Sequence, residues 1–152
     1  MKILKIVGII VVTIAVILQL FPSKLPETNN NNPNDFLANN QIPDSIALLL
    51  KNGCYDCHSN ETKYPWYSNV KPAAWLLARD TKVGREHLNL SEWESLSLRK
   101  KLKVLNEMSD EVKAKEMPLA PYMLIHKNAR FTDSERRQLI QWIDEFSESL
   151  LN

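Results

Sequence analysis

The 152-residue chain balances 19 Lys and Arg against 18 Asp and Glu, which excludes a charge-driven nucleic-acid binder and gives no pull toward a strongly acidic partner. Eight prolines against three glycines argue against a turn-rich β-sandwich and for helices joined by stiff loops. The chain has only two cysteines, so any thiol chemistry rests on that pair.

Residues 1–21 begin with Lys2 and Lys5 and continue as an unbroken apolar run, a basic region ahead of a hydrophobic stretch of the signal-sequence kind. No small-x-small cleavage site follows, and residues 3–21 approach the roughly 20 that a membrane helix needs. An uncleaved signal anchor is therefore preferred to a cleaved signal peptide. The lysines orient it with the N-terminus in the cytoplasm and the remainder outside. Residues 22–41 are rich in Pro and Asn and offer nothing to bury, so a linker, extended or disordered, is expected there.

The third segment, 42–152, reads as one small helical domain. Ile46-Ala47-Leu48-Leu49-Leu50-Lys51 reads as a helix, with Asp44 or Ser45 near the N-cap and an end at Asn52-Gly53. Directly after it comes Cys54-Tyr55-Asp56-Cys57-His58. Two thiols separated by two residues, with a histidine after the second, are what covalent c-type haem attachment requires. Cys54 and Cys57 would add to the porphyrin vinyl groups, and His58 would fall beneath the iron as its proximal ligand. A thioredoxin-like redox pair usually follows a strand, and none is predicted here. Zinc would want four ligands, and His87 and His126 are isolated. A disulfide across two residues would be strained and would stabilise little. Haem outweighs all three, and such a domain should be poorly ordered before haem is attached.

Beyond the motif, Tyr64, Trp66, Tyr67 and Trp75 lie among prolines and are expected in a loop walling the ring, with the Pro65 carbonyl accepting from His58 Nδ1. Ser91 and Glu94 have capping-box spacing and are expected to open a helix striped by Leu98, Leu102 and Leu105, with a second short helix from Ser109. Arg99, Lys100, Lys101 and Lys103 then form a solvated face, or a docking surface for an acidic redox protein. In the Met117-Pro118 loop the thioether is soft and the prolines stiffen its setting, which suits a sixth iron ligand. Met117 is the preferred ligand and Met123 the alternative. Met108 looks like packing, and His126 looks close to solvent. Thr132 and Glu135 form another capping box, leading into a C-terminal helix striped by Leu139, Ile143, Phe146 and Leu150.

Taken together, Cys54-Tyr55-Asp56-Cys57-His58-Ser59-Asn60, Tyr64-Pro65-Trp66-Tyr67, Gly84-Arg85, Ser91-Glu92-Trp93, Met117-Pro118, and Tyr122 with Leu124-Ile125-His126 resemble the haem-binding-domain family of bacterial c-type cytochrome-like proteins, over about residues 42–147. The resemblance implies haem c and electron transfer. The expectation is an all-α, cytochrome c-like domain around one covalent haem and its iron, preceded by a membrane helix and held on the periplasmic side of a bacterial plasma membrane. It would pass electrons between redox partner proteins rather than act as an enzyme. A haem-based sensor or gas-binding module with an open or displaceable sixth ligand is the alternative. A peroxidase-like enzyme would need His87 or His126 as a distal acid–base group.

Overall fold

The computed structural model describes all 152 residues, and every regular element is helical. The α-helices run α1 (Lys2–Gln19), α2 (Phe36–Asn39), α3 (Asp44–Gly53), α4 (Tyr55–His58), α5 (Ala73–His87), α6 (Leu98–Ala114), α7 (Ala120–Ile125) and α8 (Asp133–Ser149). Short 3-10 turns occupy Trp66–Asn69, Leu90–Ser95 and Lys127–Ala129. The fold is small and all-α, preceded by an apolar helix, as expected. None of the residues of α1 is buried, so it is no core helix of the domain.

The core gathers Ile46, Leu49 and Leu50 from α3, Val104, Leu105 and Val112 from α6, and Leu139 and Ile143 from α8 around Trp93. Helix α8 begins where its capping box predicts: the Thr132 hydroxyl accepts from Glu135 N–H, and the Glu135 carboxylate accepts from Thr132 N–H. Ser91 and Glu94 do not do the same. Ser91 is buried and accepts from Asn60 N–H, and Glu94 pairs with Lys101. Tertiary partners have taken both groups, and α6 starts seven residues later, capped by Ser97. It runs unbroken through Ser109 to Ala114, so the two helices expected there are one.

The stretch 22–41 is a second correction. It is mostly extended but not disordered: it lies against the domain and contributes to its core. Phe36 is fully buried, edge-on to Trp93 with ring centroids 4.6 Å apart. Asp35 caps α2 by accepting from Leu37 and Ala38 N–H, and it accepts the Tyr55 hydroxyl at 3.1 Å. The Asn tract turns on itself through Asn31 N–H to Asn29 Oδ1, and Asn29 N–H reaches the Asn60 carbonyl. One aromatic among polar residues carries no periodicity, yet it fills the core. Phe36→Ala should cost about 3–5 kcal/mol in denaturant unfolding, where a free linker would show no change.

A candidate cofactor cavity

Helix α3 delivers Cys54, whose N–H still donates to the Leu50 carbonyl, and α4 turns at once to present Cys57 and His58. The turn is tied down on both sides. Ser59 Oγ donates to the Tyr55 carbonyl, and Thr62 Oγ1 donates to the Asp56 carbonyl while accepting from Arg85. Helix α5 closes against it at Gly84, where a Cβ would stand 2.7 Å from the Cys57 carbonyl oxygen. Gly84→Val therefore forces α5 off the turn. A loss of about 2–3 kcal/mol, read by thermal unfolding, is expected from such overpacking.

Both cysteines are free thiols and line one cavity of about 620 Å³ with His58, Met108, Met117 and Tyr122. Burial, with Cys57 alongside, pushes the Cys54 thiol up to about 12. Burial, with Asp56 and Asp80, pushes Cys57 up to about 11. Both are therefore uncharged near neutrality. His58 Nδ1 lies 3.1 Å from the Leu88 carbonyl oxygen, which accepts its proton and leaves Nε2 as the basic nitrogen. Burial holds the imidazole below its ordinary value despite the backbone hydrogen bonds, so the ring is neutral. The expected Pro65 partner is thus replaced by Leu88, because α5 brings its own C-terminal end over the histidine.

Trp75, expected in a loop, belongs to α5, which opens at Ala73 just after Pro72. Tyr64, Trp66, Tyr67 and Trp75 do not line the cavity; Tyr122 is the aromatic that does. Among the sulfur and imidazole candidates, Met117, Met108 and His87 line it, whereas Met123 and His126 do not. His126 is not simply near solvent. Its Nε2 lies 2.7 Å from the Tyr67 hydroxyl, and its ring stacks on Tyr122 at 4.0 Å. Tyr122 in turn donates to Asp56 at 2.7 Å, which pins α7 to the turn that carries the thiols.

Sequence reasoning missed Arg136. This buried side chain donates from Nη1 to the Met117 carbonyl at 3.0 Å and to the Val112 carbonyl at 3.2 Å. The Met117 N–H donates to the Glu111 carbonyl, so the loop is held on both sides of the peptide. Pro118 is buried beside Gly53, where an added Cβ would also meet the Phe131 ring.

The donor set suits a haem. Two thiols on one short turn, a neutral imidazole with Nε2 free, and a thioether share one largely apolar cavity of cofactor size. The chain matches the haem-binding-domain family over residues 13–145, a span that takes in the 22–41 stretch as well as the helical domain. It is 27% identical over 108 residues to the cytochrome c peroxidase Ccp of Escherichia coli (strain K12). Those residues are 69% of this chain and 23% of that protein, so the chain spans about a quarter of the relative's length. No solved structure matches.

Proposed function

The chain belongs to the haem-binding-domain family, and from that premise we propose that it is a membrane-anchored c-type cytochrome that carries electrons outside the bacterial plasma membrane. The observation that carries the reading is the convergence of Cys54, Cys57, His58 and Met117 on one cavity. Cys54 and Cys57 would hold the group through thioethers, and His58 Nε2 and Met117 are the residues that would ligate its iron. Bound there, haem iron supplies a one-electron couple, and His/Met ligation sets it at a high potential. The protein orients the imidazole through Leu88, excludes water with Leu88, Val104 and Val112, and holds the Met117 loop stiff. Helix α1 is the anchor, with the domain on the periplasmic side, and the partners are redox proteins.

Absorbance spectra of the ferric and ferrous protein, with and without carbon monoxide, test this. A carrier shows the weak sulfur-to-iron band at the red end of the visible range, and its ferrous form is slow to take up carbon monoxide. Fast uptake and no band would replace the carrier with a sensor whose sixth position is open. A second reading, peroxide-dependent oxidation of a reduced donor, draws on the similarity to Ccp and on His87 at the cavity. It requires an open iron face, so the same spectra decide it.

A further inference from the structure

The end of α1 is not separated from the domain by a free tether. Gln19, its last residue, grips the Lys71 peptide twice: Oε1 accepts from Lys71 N–H at 3.0 Å, and Nε2 donates to the Lys71 carbonyl at 3.2 Å. Three residues on, the Pro22 carbonyl accepts from Trp75 Nε1 at 3.1 Å. The Pro26 carbonyl then accepts from the Tyr64 hydroxyl, and the Glu27 carbonyl from Arg85. Residues 22–27 thus run as a strap from the apolar helix along the outside of α5.

These bonds fix where one face of the domain must lie. The 18 residues of α1 rise about 27 Å, close to the roughly 30 Å hydrocarbon thickness, so Gln19 stands at the outer boundary of the bilayer. The Lys71 peptide is hydrogen-bonded to it and shares that level. The apolar side chains beside this clamp are turned outward: Trp66 is 81% exposed, and Leu20, Phe21, Val70 and Leu76 are exposed as well. Charge agrees, since Lys24 and Lys71 flank these side chains without an ion-pair partner, while Arg79 is neutralised by Asp80 at 2.7 Å. Tryptophan at the headgroup level, flanked by cations, is the composition that a membrane–water boundary favours.

We propose that the face formed by Trp66, Val70 and Leu76 seats the domain on the outer lipid surface of the membrane that α1 spans. This rests on the anchor reading above. The seat sets the position of the cavity too. Trp75 and Gly84 are nine residues apart on α5, so the Cys57 turn lies no more than about 15 Å along that helix from the headgroups. The haem is then held at a fixed height, facing partners that reside in or on the same membrane.

The test uses the full-length holoprotein in nanodiscs of phosphatidylethanolamine and phosphatidylglycerol, with and without bromine on the acyl chains near the headgroup. Bromine quenches tryptophans that enter the bilayer, quenching by haem is the same in both lipids and cancels in the comparison, and Trp93, buried in the core, should not respond to bromine. The seat requires bromine-dependent quenching in the wild type that Trp66→Phe reduces by about half or more. A chain that incorporates stably but fluoresces alike in both lipids retains the anchor and overturns the seat. Quenching that Trp66→Phe leaves unchanged also overturns it. A chain that does not incorporate overturns the anchor and the seat together.

Discussion

Cys54→Ala and Cys57→Ala each leave a protein whose haem is no longer fully covalent: acidified organic solvent extracts haem from the variants and none from the wild type. The expected yield of holoprotein also falls, because each thioether would help to retain the haem. With one thioether left, the remaining cysteine still tethers part of the population. With both gone, retention depends on iron ligation alone. The thiols make no competing disulfide and have no third cysteine to pair with, so alanine breaks no disulfide. Complete extraction of haem from the wild type by acidified organic solvent would overturn the c-type reading. The cavity and the His58–Leu88 hydrogen bond would then describe a non-covalent haem site.

Local chemistry was legible in the sequence, and the parts made by distant partners were not. The C-terminal helix could be read because the Thr132–Glu135 capping box and the Leu139–Ile143 stripe are both local, and the structure uses both. Helix α5 could not, because its buried face is small rather than apolar. Ala74, Thr81 and Gly84 let it approach α4 closely, and such a face leaves no hydrophobic periodicity to read. The prolines before it then suggested a loop. Ser91 and Glu94 show the opposite error: the capping-box spacing is present, but Asn60 and Lys101, 31 and 7 residues away, claim the side chains. The same holds at the site. The two thiols and His58 are named by their spacing. The Leu88 carbonyl lies 30 residues from His58, and Arg136 lies 19 residues from Met117 on another helix, and only the fold brings them there.

Met117→Ala is expected to convert a six-coordinate site into one open to ligands. The sulfur-to-iron band disappears, ferrous iron takes up carbon monoxide rapidly, and the reduction potential falls by on the order of 100 mV, a part of the ~0.8 V that axial ligation spans. Met108 shares the cavity but sits on α6 with its backbone committed to the helix, so Met108→Ala should leave the band in place and cost only packing. Met123 lies outside the cavity lining, and Met123→Ala should be silent in the spectrum. In the proposed site, Arg136 is the group that would hold Met117 in place. It ties the Met117 carbonyl to α8, and Arg136→Met removes that tie while preserving much of the volume. Two carbonyls then lose their charged donor, at about 1–3 kcal/mol each if water does not replace it. The methionine should stay near the iron but exchange more readily. The variant would keep the red band and bind carbon monoxide at a rate between those of the wild type and Met117→Ala. A band that survives Met117→Ala and vanishes in Met123→Ala or Met108→Ala would move the sixth ligand to that residue, and with it the part assigned to Arg136.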